Sequence, residues 1–378
     1  FLITQLNTVK IKKKYLPRQL LQSITQNTDT NRNQSRIKTM QSTFDMSIAT
    51  PPIRNAKTIP ALQHAQHHDG PTLLDIPSIA ALPRVEHHPS PDIASSASGR
   101  QYSLEKIIQV DGRQGIATNG THYFVSSSTA LFMYDLEGNL LHRNDNPFDA
   151  LPLPANHFGD IGYFEGQLYT GVEWFDAGRG QDIQIVLYDA ETLDYSRSVP
   201  WNEDSGQVEC SAITIDVDNE LVWMSDWVNS NYVYKYDLHN GEYVGKLHLR
   251  ATPEWTQGLA FYKGDLFITA DDGDADRKEP DNLWFVPKET LLNNATYIGL
   301  EKAFDVPPFL DHGEIEGIDF NTATNQMIVH ANRGMRIVLG MPQGYYPGYT
   351  KEIHELHVFN IIDGNDASST ADGIYESE

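Results

Sequence analysis

The segment QGLAFYKGDLFITAD (residues 257–271) has the pattern of a β-hairpin. A Gly follows its first residue, an apolar strand runs up to a Lys-Gly turn, and a second β-prone strand ends on Asp271. Two such strands around a short turn that contains Gly are typical of an antiparallel pair. An Asp at the end of an apolar strand is unusual, so we asked whether the same pattern occurs elsewhere in the chain.

The hairpin pattern occurs five times. Its units start at residues 115, 160, 212, 258 and 317, with spacings of 45, 52, 46 and 59 residues. Repeats of this length with three or four strands each are typical of β-propeller blades. The other four copies are QGIATNGTHYFVSS (114–127), GDIGYFEGQLYTGVE (159–173), SAITIDVDNELVWMSD (211–226) and EGIDFNTATNQMIVHAN (316–332).

A third strand follows most copies, and three of these strands end on Tyr-Asp at 134–135, 188–189 and 236–237. The last unit lacks an outer strand, whereas YSLEKIIQV (102–110) has no blade of its own. We therefore predict an all-β, five-bladed propeller over residues 100–364, in which this N-terminal strand completes the last blade. A six-bladed ring stays open as the alternative, with a diverged unit in 90–113 or 333–352.

The regions on either side of the repeats differ in composition. Residues 1–99 contain three aromatic residues, no Trp and many Gln, Asn, Ser, Thr and Pro residues, which predicts a disordered or leader region. Residues 365–378 are interpreted as a flexible acidic tail. The single cysteine, Cys210, excludes an intrachain disulfide and favours a cytoplasmic address, with a secreted or organellar one as alternatives.

The charge of the chain limits its partners. The net charge is −23, and residues 1–40 carry eight Lys/Arg and one Asp, so the remainder stands at −30. A nucleic-acid partner is disfavoured, because phosphate binding needs clustered cations. The sequence contains no run of about 18 apolar residues, so it predicts no membrane-spanning helix. A small-molecule ligand and bound cations fit this balance, and the oligomeric state is left open.

Aligned repeats predict which side chains meet at one mouth of the ring. The end of each second strand carries Ser127, Glu173, Asp226, Asp271 or Asn332, and a position before each first strand carries Gln114, Gly159, Ser211, Gln257 or Glu316. An antiparallel hairpin places these two sets at the same end. So many oxygen atoms suit Ca²⁺ or another divalent cation. Simple turn capping by the same side chains is the alternative. The predicted metal ligands are Glu173, Asp226, Asp271, Asn332, Glu316 and Glu209.

Other polar and aromatic residues near this mouth are candidates for chemistry. His330 and His157 are candidate general bases, and Arg333 and Arg336 are candidates for holding an anionic group or acting as structural counter-ions. The predicted substrate-binding residues are Gln114, Gln257, Trp174, Trp227 and Arg336.

The blade pattern resembles a known superfamily. Units such as QGLAFYKGDLFIT and EGIDFNTATNQMIV, with acidic and amide residues toward the axis, resemble the propellers of the SMP-30/gluconolactonase, paraoxonase and strictosidine-synthase-like superfamily and of NHL repeats. The resemblance implies a metal in the central channel that polarises the carbonyl of a lactone or ester. It would be carried by Glu316, Glu173, Asp226, Asp271 and Asn332. Those enzymes usually have six blades, whereas five are counted here.

Three functions are consistent with the sequence. The favoured one is a calcium-dependent or other divalent-metal-dependent hydrolase of the lactonase or esterase kind, with the cation in the central channel. The second is a non-catalytic propeller that binds a small ligand or partner at its mouth and carries a structural metal. The third is a lyase acting on an acidic sugar, with Arg333 on the carboxylate and His330 as base. An open axial pocket would favour an enzyme, and a filled axis would favour a binding protein.

Overall fold

The computed structural model describes residues 96–176, 179–199, 201–228, 230–305, 312–338 and 341–363. Within these ranges the chain forms 23 β-strands and two single-turn 3-10 helices, Glu203–Ser205 and Lys288–Thr290. None of the helices in the described part of the chain is long and apolar enough to span a bilayer. The predicted disordered region, apart from its last residues, and the predicted acidic tail lie outside the described residues.

The strands follow one another closely along the chain. In the first half they are β1 (Gln101–Val110), β2 (Ile116–Thr118), β3 (His122–Ser126), β4 (Leu131–Asp135), β5 (Leu140–Asn144), β6 (His157–Phe164), β7 (Gln167–Asp176), β8 (Arg179–Asp189), β9 (Tyr195–Val199), β10 (Ala212–Asp216), β11 (Leu221–Ser225) and β12 (Tyr232–Asp237). In the second half they are β13 (Tyr243–Arg250), β14 (Thr256–Tyr262), β15 (Asp265–Ala270), β16 (Asn282–Val286), β17 (Ala295–Tyr297), β18 (Gly299–Ala303), β19 (Gly313–Asn321), β20 (Gln326–Arg333), β21 (Met335–Val338), β22 (Met341–Tyr345) and β23 (Ile353–Ile362).

Five antiparallel sheets form the blades of a propeller, which confirms the predicted fold and blade number. Blade 1 is β2–β5, blade 2 is β6–β9 and blade 3 is β10–β13. Blade 4 is β14, β15, β16 and β18, and blade 5 has the order β19-β20-β23-β1. The N-terminal strand thus completes the last blade, with Gln101 opposite Ile362 and Val110 opposite His354.

Apolar layers between the blades hold the ring together. Five clusters of buried side chains each join two neighbouring blades, and the one between blades 5 and 1 packs Ile108 and Leu356 with Ile116 and Val125. The inner strands are buried along most of their length, because each has a blade on both faces, whereas the outer strand β5 is largely exposed. The five layers close the ring without a gap.

The Tyr-Asp pairs brace the turns between the third and fourth strands. Tyr134, Tyr188 and Tyr236 are buried. Asp135 accepts hydrogen bonds from the backbone N–H of Glu137 (3.0 Å) and Asn139 (2.7 Å), and Asp189 and Asp237 accept equivalent bonds in their own turns. These are Asx turns, so the recurrent Asp is structural.

Blades 3, 4 and 5 carry features that the repeat does not predict. Strand β16 ends before Pro287, which lacks an N–H for a strand ladder. The chain then adds β17 to blade 3, parallel to β13, before β18 forms the outer strand of blade 4. In blade 5 the segment that could have hidden a sixth unit forms the β21–β22 hairpin instead.

The inner strands meet closely on the axis. Asp160 accepts hydrogen bonds from the backbone N–H of Ile116 (3.0 Å) and Leu259 (3.2 Å), which belong to blades 1 and 4. A Cβ added at Gly115 would lie 2.5 Å from the Asp160 Cα, and one added at Gly317 would lie 2.7 Å from the Gly115 Cα. Backbone and the Asp160 carboxyl therefore fill the axis at this level, where the favoured hypothesis had placed a cation in a central channel.

Candidate metal centre at the acidic mouth

One end of the ring collects the polar side chains that the repeat places at strand ends. His157 lies opposite Glu173 in blade 2, Ala212 opposite Ser225 in blade 3, and Glu314 opposite Asn332 in blade 5. The starts of the first strands and the ends of the second strands therefore share this end, which we call the acidic mouth.

The hydrogen bonds of the described residues divide the carboxylates of this mouth into two groups. The first, which we call the His157 site, lies on blades 2 and 3 and consists of His157, Glu173, Glu209 and Asp226. The second, which we call the Arg113 cluster, lies on blades 4, 5 and 1 and consists of Arg113, Asp271, Asp281, Glu314, Glu316, Asn332 and Glu352. The six predicted ligands thus fall into two places rather than around one cation.

Glu173 is the centre of the His157 site. It stands on β7, is fully buried, and its Oε2 accepts hydrogen bonds from the backbone N–H (3.1 Å) and the thiol (3.4 Å) of Cys210. The backbone passes so close that a Cβ at Gly180 would lie 2.0 Å from the same oxygen. The carboxylate is therefore held in one orientation, with its other oxygen directed toward His157.

Two further carboxylates complete the His157 site. Glu209 Oε2 accepts a hydrogen bond from the backbone N–H of Trp227 (2.6 Å). Asp226 Oδ1 accepts from the N–H groups of Val208 (2.9 Å) and Glu209 (3.1 Å), and its Oδ2 accepts from the Tyr234 hydroxyl (2.9 Å). Asp226 is saturated with donors and fixes the backbone that carries Glu209. Asp226 is thus a support for the site, whereas Glu209 keeps an oxygen free of these bonds.

Two buried atoms of the His157 site have no hydrogen-bond partner among the residues that the structure describes. These are His157 Nδ1 and Glu173 Oε1, which lie 3.4 Å apart. His157, Glu173 and Glu209 each offer one ligand atom, and these three atoms lie within 4.8 Å of one another. Two ligands about 2.0–2.1 Å from a tetrahedral ion are themselves separated by about 3.3 Å. The spacing and the missing partners therefore fit a shared cation.

The electrostatics of the site point in the same direction. Burial raises the pKa of Glu209 well above its ordinary range, and the neighbouring Glu173 and Asp226 add to the rise. Burial also raises the pKa of Asp226, against the lowering effect of its hydrogen bonds. Carboxylates so close in a dry environment are stable only with a shared proton or a cation between them.

The Arg113 cluster has its own cation. Arg113 Nη2 lies 2.7 Å from Glu314 Oε1 and 3.7 Å from Glu316 Oε1, and its Nε lies 3.3 Å from Glu352 Oε1. The Asn332 amide donates to Glu316 Oε1 (2.5 Å) and to the Arg113 carbonyl (3.0 Å). One guanidinium thus serves three carboxylates, and Asn332 links them to the main chain.

Asp271, which directly follows strand β15, is paired with Asp281. Asp281 accepts hydrogen bonds from the backbone N–H of Gly273 (3.1 Å) and Ile315 (3.0 Å). Burial raises the pKa of Asp281 to about 7, and burial together with Asp281 raises the pKa of Asp271 well above its ordinary range. These raised pKa values favour a proton shared between the two carboxyls near neutral pH, and the bond from Ile315 to Asp281 joins blade 5 to blade 4.

The structure does not place His330 as a general base at the mouth. It is fully buried, with Nδ1 3.0 Å from the Gln114 carbonyl and Nε2 3.1 Å from the Gly112 carbonyl. Burial lowers its pKa to about 3. A neutral imidazole has one N–H, so it donates to one of these two carbonyls and ties blade 5 to blade 1.

The two candidate arginines are both engaged by carboxylates. Arg333 donates from Nε (3.0 Å) and Nη2 (2.8 Å) to the two oxygens of Glu355. Arg336, on the β21–β22 hairpin, makes a bidentate pair with Asp276 in the loop after β15. Both arginines act as counter-ions here, which weakens the lyase hypothesis in which Arg333 holds a substrate carboxylate.

The predicted substrate-binding residues are spread over the mouth. Trp227 is half-buried beside the His157 site, and Trp174 is 43% exposed on β7. Gln114 is buried, with its carbonyl accepting from the Gly317 N–H (3.0 Å), and Gln257 is half-buried where the β14 register shifts. Trp227 is therefore the member of this set that adjoins the candidate metal ligands.

Sequence reasoning missed three residues of the mouth and the axis. Asp160 is the first residue of the second unit, Asp281 lies beyond the end of the fourth copy, and Arg113 immediately precedes the first copy. Of these three residues, Arg113 could have been inferred from the sequence, because it is adjacent to Gln114, which was predicted to lie at the mouth. Asp281 lies ten residues from Asp271 along the chain, and only the path of the loop brings it back.

Comparisons with known proteins assign no family to the chain and find only distant structural neighbours. No protein-family model and no curated protein sequence matches the chain. Among solved structures, glutaminyl cyclase from Myxococcus xanthus is similar with a TM-score of 0.44 and 11% identity, over 70% of this chain and 98% of that one. The PQQ-bound aldose sugar dehydrogenase from Streptomyces coelicolor is similar with a TM-score of 0.40 and 12% identity, over 70% and 99% of the two chains. A chain of the nidogen/laminin complex is similar with a TM-score of 0.35 and 11% identity, over 66% and 83%.

Proposed function

We propose that the His157 site binds one divalent transition-metal ion and that the protein is a metal-dependent hydrolase of the ester or lactone type. The observation that carries the proposal is the pair of buried atoms His157 Nδ1 and Glu173 Oε1, which lie 3.4 Å apart and have no hydrogen-bond partner among the described residues. Turn capping does not account for them, since neither atom caps a turn.

The ligand set favours a metal of the zinc type over calcium. Imidazole nitrogen suits Zn²⁺, Fe²⁺, Ni²⁺ and Cu²⁺, whereas Ca²⁺ takes six to eight oxygen ligands. One histidine and two carboxylates provide three ligands, and a catalytic zinc keeps a further position open for substrate or water. His157, which the sequence offered as a general base, is a ligand in this proposal.

The residues of the site would divide the work among them. His157, Glu173 and Glu209 hold the ion, and Cys210 and Trp227 orient the two carboxylates through their backbone N–H groups. When bound, the cation supplies Lewis acidity toward a substrate carbonyl oxygen. The side chain of His157 is 20% exposed, so a substrate reaches the site along this side while Glu173 stays dry.

A metal-binding assay tests the first half of the proposal. We expect the purified chain to hold one equivalent of zinc, and Glu173→Gln to weaken its binding by at least about 100-fold, because an uncharged amide replaces a charged ligand. Asp271→Asn, which changes a carboxylate of the Arg113 cluster, is the matched control and should keep the ion. Equal metal content in wild type and Glu173→Gln would contradict the proposal.

A substrate screen tests the second half. We expect zinc-loaded protein to hydrolyse members of an ester and lactone panel, and Glu173→Gln to lose that activity. The second candidate function is a non-catalytic propeller with a structural metal, and the filled axis around Asp160 favours it, since substrate depth is then limited to the mouth. Zinc binding with no turnover on the whole panel would select this second function.

A further inference from the structure

A row of three aromatic rings borders the His157 site. The rings of His157 and Phe175 lie 5.2 Å apart, those of Phe175 and Trp227 lie 6.2 Å apart, and those of Trp227 and Trp255 lie 4.7 Å apart. We call Phe175, Trp227 and Trp255 the aromatic row. Phe175 lies on β7 of blade 2, Trp227 lies in the loop between β11 and β12 of blade 3, and Trp255 immediately precedes β14 of blade 4. The row therefore crosses the mouth from blade 2 to blade 4.

The row is fixed to the candidate metal ligands by the main chain. The N–H of Trp227 donates to Glu209 Oε2 (2.6 Å), and the Trp227 carbonyl accepts from the Thr256 N–H (3.1 Å). Asn156 adds a further anchor, because its Oδ1 accepts from the Phe175 N–H (2.7 Å). The rings therefore hold a fixed position relative to Glu209, as a binding surface beside a reacting centre requires.

The rings are half-buried, unlike the large apolar side chains between the blades. Trp227 meets Phe175 and Trp255 edge to face, at interplanar angles of 72° and 61°. Such pairs leave ring faces and edges available to a further flat group. The charged residues next to the row along the chain are Asp176, Asp226 and Glu254, with Arg179 across the hairpin from Asp176. Glu209 adds a fourth carboxyl through its bond from the Trp227 N–H.

We infer that the aromatic row binds the uncharged aryl part of a substrate whose carbonyl lies at the His157 site; this rests on the proposed hydrolase function. A flat ring gains from contact with Phe175 and Trp227, whereas a saturated ring of similar size lacks the quadrupole that orients such contacts. The carboxylates beside the row disfavour an anionic ring.

A ligand-observed NMR titration on the full chain tests the inference without turnover. Acetophenone is the probe, and cyclohexyl methyl ketone is its saturated match. We expect acetophenone to bind more tightly, and Trp227→Leu to weaken its binding about threefold to tenfold, with recovery in Trp227→Phe. Tyr297→Leu, which removes an exposed ring from the outer edge of blade 3, is the control and should bind as wild type does.

The same titration on chelator-treated protein separates the two proposals. Acetophenone binding that depends on Trp227 in a protein that holds no metal would support the aromatic row while the hydrolase proposal fails. Equal or tighter binding of the saturated ketone to wild type would overturn the inference. So would binding of benzoate to the chelator-treated protein as tight as that of acetophenone, or unchanged affinity in Trp227→Leu.

Discussion

The two halves of the acidic mouth solve the same electrostatic problem in different ways. In the Arg113 cluster a guanidinium lies 2.7 Å from Glu314 and 3.7 Å from Glu316, so the protein supplies the cation from its own chain. In the His157 site Glu173 and Glu209 are at least as buried, and their described neighbours are backbone donors, a thiol, an imidazole and each other's carboxyl. A cluster of buried carboxylates that contains an arginine already has a counter-ion. A cluster without one requires a proton or a metal ion.

The largest expected effect comes from removing the built-in cation. Arg113→Met leaves Glu314, Glu316 and Glu352 without a counter-ion, and we expect the free energy of unfolding to fall by about 3–5 kcal/mol at pH 7. Chemical denaturation measures it, with Arg336→Met as the control, because the Arg336–Asp276 pair is exposed and contributes little. A loss that is equally small in both variants would show that the cluster does not depend on Arg113.

A substitution that leaves the charge unchanged tests the other half of the comparison, the His157 site. Gly180→Ala places a Cβ at the position 2.0 Å from Glu173 Oε2, so the carboxylate must move. We expect zinc affinity to drop by about 10-fold to 100-fold, as when a partner that orients a ligand is lost. Competition with a chromophoric chelator measures the affinity.

The control for this substitution lies in the same blade. At Gly162 an added Cβ would meet only the Cδ1 methyl of Ile215 closely (2.6 Å), and that methyl can rotate away. Gly162→Ala should therefore bind zinc as wild type does. If Gly180→Ala also binds normally, Glu173 is not a ligand.

The smallest effect concerns the proton shared by Asp271 and Asp281. The pKa of Asp281 rises from 3.8, its ordinary value, to about 7 in the folded protein. Between these pH values the native state binds more protons than the unfolded state, so stability falls as the pH rises from 4 to 7. Asp271→Asn removes one carboxyl and keeps a hydrogen-bond donor toward Asp281. We expect it to raise stability by about 1 kcal/mol at pH 8 and to change little at pH 4.

Thermal or chemical denaturation across this pH range checks that prediction. The wild-type and Asp271→Asn curves should converge as the pH falls below 5, because both carboxyls are then protonated in wild type. A constant difference between them at every pH would show that the pair does not share a proton. The His157 site offers no such test, since a bound ion would replace the proton there.

Much of the fold could be predicted because the blade repeat is local. Each hairpin is specified by its own alternation and turn, so the number of blades and the closing strand, placed at 102–110, could be inferred without tertiary information. The outer strand of blade 4 was less accessible, because Pro287 interrupts the unit and β17 joins a neighbouring blade. Recurrence at equivalent positions also identified Glu173 and Asp226 correctly as residues of one mouth.

The candidate site could be predicted only in part. Repeat alignment treats five blades as equivalent, and it therefore placed Asp271, Asn332 and Glu316 with Glu173 around one ion. It could not show that Arg113 lies among the first set or that Asp281 pairs with Asp271. Both facts depend on loops that break the symmetry of the ring.

The sequence by itself determined the blade hairpins, the five repeats and the residues at the strand ends, because these follow from periodicity along the chain. The tertiary structure decided which of those carboxylates have a partner. It filled the axis with Asp160 between glycine-rich strands, gave Arg113 to one group of acids, and left His157 Nδ1 facing Glu173 Oε1 in the other. Pairing of buried charges is set by distances between blades, and those distances are not contained in any one repeat.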